Sequence, residues 1–275
     1  PIDKKRAETD MLEVLKQQFS QGMPFEQKLN RVREFLQLTA LKIMYDNDYF
    51  DNLAFVGGTA LRFLYDLKRF SEDLDFSLVS RKGYNFSQYT SEIVRGFNLY
   101  GLKTESKAQE EKNVNSSFLK FSGLLKELGL SALPEQKLSI KIEIDTNPPP
   151  GWQIEKTLIN KTYIFTIIHF DLPSSYATKL HACFYRKYTK GRDIYDFIWY
   201  LGKKIMPNFT LLNNAIEQTE GRNPGIHEHN FKAFILENLK KIDFIQAKKG
   251  VERFLIDKSE LKLFDFKVIQ KCIKS

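Results

Sequence analysis

Asp73 and Asp75 are the residues of this 275-residue chain whose type and spacing best suit chemistry. They lie in the run Asp73-Leu74-Asp75-Phe76, and residues two apart on a strand share one face. Two carboxylates side by side repel each other. A divalent cation relieves that cost, and hard ions such as Mg²⁺ prefer oxygen ligands. Upstream stand Gly57, Gly58 and Thr59, with thirteen residues between Thr59 and Asp73. Glycine lets backbone approach a ligand closely, and free N–H groups at a helix start attract phosphate. A phosphate cradle followed by an Asp-x-Asp pair is what a metal-dependent nucleotide-handling site needs.

These residues must be held by strands and a helix. Leu53–Val56 is an apolar run that reads as a buried strand, broken by the glycine pair. Leu61, Phe63, Leu64 and Leu67 then recur at helical spacing, and Ser71 and Glu72 turn the chain into the Asp73 strand. A further strand is predicted at Leu138–Asp145, with Ile140, Ile142 and Ile144 on one face and Lys141, Glu143 and Asp145 on the other. Paired with the Asp73 strand through its polar face, it brings a third carboxylate to a metal. Glu143 and Asp145 both qualify, with a slight preference for Asp145 at the strand end beside Asn147-Pro148-Pro149. The competing reading is an ordinary antiparallel strand with a solvated charged face.

The order Gly-Gly-Thr, helix, Asp-Leu-Asp resembles the signature of the nucleotidyltransferase superfamily, the polymerase-beta-like fold. The fuller wording, Gly57-Gly58-Thr59-Ala60-Leu61-Arg62 followed by Arg69-Phe70-Ser71-Glu72-Asp73-Leu74-Asp75-Phe76, resembles the AbiEii/AbiGii toxin family of abortive-infection and type IV toxin–antitoxin nucleotidyltransferases. A second block, with Lys179 and His181 on one helix and then Gly191-Arg192-Asp193-Ile194-Tyr195-Asp196, is similar to another part of that family. The resemblance covers residues 55–80 and 138–201. It implies an α/β (α+β) fold with a polymerase-beta-like core, a small mixed sheet and a helical C-terminal region. It also implies two Mg²⁺ ions, or Mn²⁺, held by Asp73, Asp75 and Glu143 or Asp145. Gly57, Gly58, Thr59, Arg69, Ser71 and Lys179 then bind the nucleotide, and Asp73, Asp75, Lys179 and Asp193 are the catalytic set.

Each of the later residues has a plainer reading. Asp193 stands where a helix begins and suits capping there. Lys179 suits a solvated helix position. Asp196 lies within one turn of Asp193, is able to pair with Arg192 or Lys190, and is a supporting residue. His181, His227 and His229 have no carboxylate or cysteine at zinc-site spacing, so core or surface roles are expected.

The expected division is residues 1–170 as an α/β core with N-terminal helices and 171–275 as a helical domain completing the active site. Helices are predicted around 10–19, at Phe25–Asp46, at Ser87–Leu99, and at Tyr176 to about Tyr188 with Ser174 or Ser175 as its cap. Others are expected from Asp193 to Leu201 and at Leu211–Gln218, Glu228–Asn238, Asp243–Ile256 and Glu260–Ile273. Further strands are expected near 102–107, 116–121 and 162–170, and 122–137 reads as loop or short helix. Two distant cysteines, Cys183 and Cys272, give no disulfide framework, and no apolar run is long enough for a bilayer. With no signal-peptide pattern at the start, a cytoplasmic location is expected. A net charge of +8 fits a nucleic-acid partner, as does the lysine-rich tail.

The resemblance implies transfer of NMP from an NTP to an acceptor hydroxyl, with a tRNA 3′ end as the expected acceptor and a cognate antitoxin as partner. Transfer to a protein or to a small molecule such as an aminoglycoside is one alternative, and movement of the γ-phosphoryl belongs with it. A non-catalytic nucleotide-binding scaffold is another.

Overall fold

The computed structural model describes residues 11–274 apart from Gln21, Pro134 and Thr189. Residue 10, where the first helix was expected to begin, lies outside this set. Residues 11–16 are helical (α1), and α2 (Phe25–Asp46) and β1 (Leu53–Val56) have the bounds their apolar patterns predict. There follow α3 (Gly57–Tyr65), β2 (Asp73–Leu78), α4 (Phe86–Leu99), β3 (Thr104–Glu110), β4 (Val114–Phe121), α5 (Leu124–Glu127) and β5 (Leu138–Asp145). The chain continues through β6 (Ile154–Asn160), β7 (Ile164–Phe170), α6 (Leu172–Tyr185), α7 (Gly191–Lys203), α8 (Phe209–Glu220), α9 (Glu228–Leu239), α10 (Phe244–Val251) and α11 (Phe266–Lys274).

The strands form one seven-stranded mixed sheet in the order β3-β4-β5-β2-β1-β7-β6. β5 runs parallel to β2 and antiparallel to β4, so the reading of β5 as an antiparallel strand holds only on its β4 side. β6 was not predicted. Its burial is almost wholly outward, with only Ile159 enclosed, so an edge strand of this kind carries little alternation to read.

The chain divides into two compact units. The first comprises residues up to Phe55, Ser71–Asn147 and Lys156–Ile168. Within it α2 and α4 cover the apolar face of the sheet, where Leu74, Phe76, Ile140, Ile142, Ile144, Leu119 and Phe121 are buried. Phe97 meets Phe121 edge-on at 4.9 Å. α4 lies so close to α2 at Gly96 that a Cβ there would stand 2.8 Å from the Ile43 side chain.

The second unit comprises Val56–Phe70, Pro148–Glu155 and His169–Ser275, and is dominated by packed helices. Tyr176 of α6 stacks on Tyr200 of α7 at 4.2 Å. Three of the expected helices differ at an end, each for a physical reason. α6 begins at Leu172 and is capped by Asp171, whose Oδ1 accepts from Ser174 N at 2.8 Å, so neither Ser174 nor Ser175 is the cap. The expected Asp243–Ile256 helix stops at Val251, because Phe254 O accepts from Phe70 N at 2.8 Å and Leu255 bridges to Arg69. The expected Glu260–Ile273 helix is a 3-10 segment, Lys258–Leu263, and then α11, whose first amides at Lys267 and Val268 donate to Asp265 Oδ1.

Candidate active site

In the first unit, β2 and β5 align Asp73 with Lys141, Asp75 with Glu143 and Ser77 with Asp145. Residues paired across strands share a face, so Asp73, Asp75, Glu143 and Asp145 all stand on the face opposite Leu74, Phe76, Ile142 and Ile144. Register puts Glu143 directly beside Asp75, while Asp145 sits one pair further on. Glu143 accepts from Lys141 Nζ at 2.7 Å. Asp145 accepts from Asn147 N at 2.9 Å, and burial pushes its carboxyl up from the ordinary value. Among the described residues no three His, Cys, Asp or Glu side chains converge tightly enough to hold a metal ion as they stand. The donor set, carboxylate oxygens on neighbouring register positions, is nevertheless chemically suited to a hard divalent ion. Ser71 is buried, and its carbonyl accepts from Gln37 Nε2 at 3.2 Å.

In the second unit, α3 begins directly at Gly57, whose φ of +79° lies in the left-handed region that favours glycine. Thr59 is fully buried. Gly58 lies against the Arg69 guanidinium, and a Cβ at that position would overlap it. Arg69 is only 2% exposed. Its Nε and Nη2 each donate at 2.6 Å to the two oxygens of Asp196, a bidentate pair, and Nη1 donates to Phe70 O at 2.9 Å.

Asp196 is shared. Lys179 Nζ is 2.8 Å from its Oδ2 and 2.8 Å from Asp193 Oδ1. Arg186 Nη1 donates to the other Asp193 oxygen at 2.7 Å, and Cys183 Sγ donates to the Asp193 carbonyl. A continuous ion-pair chain therefore runs Arg69–Asp196–Lys179–Asp193–Arg186. Burial works against the charge of Lys179, but the two aspartates outweigh it and raise its pKa. Arg69 is raised in the same way by Asp196. For Asp193 burial opposes ionisation, yet Lys179 and Arg186 pull its pKa down to about 2. Three cations and two carboxylates leave this chain one positive charge in excess, which suits an anionic ligand.

Three plainer readings are revised here. Asp193 lies in the first turn of α7, but Lys190 occupies the cap position and the Asp193 carboxylate is taken by Lys179 and Arg186. Lys179 is not a solvated helix lysine, since its side chain is 11% exposed and ion-paired. Asp196, expected to pair with Arg192 or Lys190, is held by Arg69 and Lys179. The Arg69–Asp196 pair spans 127 positions and carried no sequence signal, and Arg186 was not assigned a role. The histidines have ordinary parts: His181 meets Thr219 Oγ1 at 3.0 Å, and His227 caps α9 in a capping box with Asn230. A cavity of about 720 Å³ bounded by α7, α9 and α11 is lined by Trp199, Met206, Phe231 and Ile269, and by none of the candidate residues.

A family model described as nucleotidyl transferase AbiEii toxin, type IV TA system, matches residues 39–268. Comparison with curated proteins gave no match. Among solved structures the chain is similar to JHP933 from Helicobacter pylori, at 19% identity over 88% of this chain and 90% of that one, with a TM-score of 0.52. It is also similar to a protein described as a candidate nucleotidyltransferase from the same organism, at 18% identity over 88% and 93%, with a TM-score of 0.51. At these identities the structural likeness speaks for the fold: a mixed α/β architecture shared with that protein. Among the described residues no helix is long and apolar enough to cross a membrane.

Proposed function

Because the chain belongs to the AbiEii nucleotidyl transferase toxin family of type IV toxin–antitoxin systems, and so is a nucleotidyltransferase with a nucleotide substrate and a cognate antitoxin, we propose that it transfers NMP from an NTP to the 3′ hydroxyl of tRNA in a toxin–antitoxin or abortive-infection system. The observation that carries this reading is the carboxylate face of β2 and β5, with Asp73, Asp75 and Glu143 on adjacent register positions. Asp73, Asp75 and Glu143 would hold Mg²⁺, with Asp145 beside them. A divalent ion so placed supplies charge neutralisation for the triphosphate and the acceptor oxygen.

The remaining work falls to the chain's own groups. The backbone of Gly57 and Gly58 at the start of α3 binds phosphate oxygens through N–H groups that have no partner within the helix. Thr59, buried behind them, fixes the first turn. Lys179, with the surplus positive charge of its cluster, attracts the same phosphates and stabilises charge that develops as the α–β bond breaks. Arg69 supports the cradle from behind through Gly58, and Ser71 anchors the entry to β2. Asp193 orients Lys179. Holding the acceptor oxygen in line with the α-phosphate provides much of the rate.

The test is to incubate purified protein, Mg²⁺ and each α-labelled NTP with total bacterial tRNA, with a protein fraction and with aminoglycosides. Label is expected in tRNA only, and periodate oxidation of the 3′ diol should abolish it. Label in protein or in the small molecule would move the reading to that acceptor. Absence of transfer to any acceptor, together with absence of NTP binding, would refute it.

A further inference from the structure

The face that bears Asp73 and Asp75 does not end at β5. Register carries it on to β4 and β3: Asp73 aligns with Lys141, Lys141 with Phe118, and Phe118 with Lys107. The next row is Asp75, Glu143, Ser116 and Gln109. On β4 the opposite face is core, with Leu119 and Phe121 fully buried. Phe118 points the other way and is 37% exposed, in the middle of a strand whose neighbours on that face are polar.

The ring has cationic company. Lys141 Nζ stands 5.5 Å from its centroid, and Lys107 is its exposed neighbour on β3. Around the ring Glu143 is ion-paired with Lys141 at 2.7 Å and Glu105 with Lys137 at 2.6 Å. Lys107 and Lys120 on the same face add positive charge beyond these pairs, while Asp73 and Asp75 stand further off on β2. An exposed aromatic face set between lysines on an open sheet matches the two demands of an unpaired nucleotide, a π-surface for the base and positive charge for the phosphate. A folded protein partner would instead call for a broad apolar patch, and here the ring is bordered by lysines and polar side chains. At about 4.8 Å between strands, Phe118 lies two strands, or about 10 Å, from Asp73. That is about the rise of three stacked nucleotides.

We infer that Phe118 is a base-stacking platform for a single-stranded nucleic-acid end, with Lys107 and Lys141 on its phosphates, so that the strand crosses β4 and β5 toward Asp73 and Asp75. The identity of that strand as the acceptor rests on the nucleotidyl-transfer reading, whereas the binding itself does not. Binding of a fluorescein-labelled single-stranded RNA 12-mer by anisotropy, without NTP or Mg²⁺, tests it. Phe118→Ala should weaken binding roughly 5- to 150-fold, the span expected for one stacked base. Phe118→Tyr should restore it, and a blunt duplex of the same length should bind more weakly than the single strand and be indifferent to either change. Circular dichroism should show both variants folded, since the ring is exposed. Wild-type affinity in Phe118→Ala, or absence of RNA binding by the wild type, would overturn the inference. If Phe118-dependent binding is found while no acceptor is labelled in the transfer assay, the transfer reading fails and this one stands. If tRNA is labelled while Phe118→Ala binds and reacts like wild type, the reverse holds.

Discussion

Asp196→Asn tests the buried ion-pair chain most severely. The substitution keeps side-chain volume and removes one charge. In the folded protein Asp196 is fully buried and receives three short charged contacts, two from Arg69 at 2.6 Å and one from Lys179 at 2.8 Å. Losing its charge leaves Arg69 buried without a counter-ion and leaves three cations facing Asp193 alone. Breaking a buried pair by removing one partner costs about 3–5 kcal/mol, because the survivor stays desolvated. We expect a loss of that size in urea unfolding followed by circular dichroism at pH 7. The double variant Arg69→Met, Asp196→Asn should cost less than the sum of the two single changes, with a coupling of at least about 1 kcal/mol. A cost under about 1 kcal/mol for Asp196→Asn, or strict additivity in the double variant, would refute a closed and buried pair.

Two further outcomes follow from the same cluster. The Asp193 carboxyl is held at about 2, below its ordinary 3.8, so its contribution is fully present above about pH 4 and is lost as pH falls toward 2. The stability gap between wild type and Asp193→Asn should therefore shrink by roughly 2 kcal/mol from pH 6 to pH 2, and a constant gap would contradict the pairing with Lys179 and Arg186. Gly58→Ala drives a methyl group into the Arg69 guanidinium and should cost about 1–3 kcal/mol. The cost should fall in the Arg69→Met background, and an equal cost in both backgrounds would place the constraint elsewhere.

The elements around the carboxylates were legible because their patterns are strong. Alternation along Leu138–Asp145 sets three isoleucines against Lys141, Glu143 and Asp145, and the same alternation put Asp73 and Asp75 on one face. Proline and glycine after Asp145 gave its end. Register was not legible: nothing local says that Glu143, and not Asp145, stands beside Asp75, since that depends on how two strands 60 or more residues apart slide against each other. The same limit hid the Arg69–Asp196 pair. An arginine in a loop next to a candidate strand reads as a ligand-binding group, and only the fold buries it against α7. In the C-terminal helices the apolar spacing continues through Leu255, but backbone pairing with Lys68–Phe70 takes the chain out of the helix there. Asp171 displaced the serines as cap because it precedes Pro173, whose fixed φ suits the first turn of a helix.

The most direct measurement of the central claim compares α- and γ-labelled NTP as donors to tRNA, for wild type and for the Asp73→Ala, Asp75→Ala double variant. Transfer of the α-label alone, abolished in the double variant while its circular dichroism spectrum is retained, is the result expected. Transfer of the γ-label, or α-label transfer that survives the loss of both aspartates, would contradict the carboxylate face of β2 and β5 as the centre of a nucleotidyl transfer.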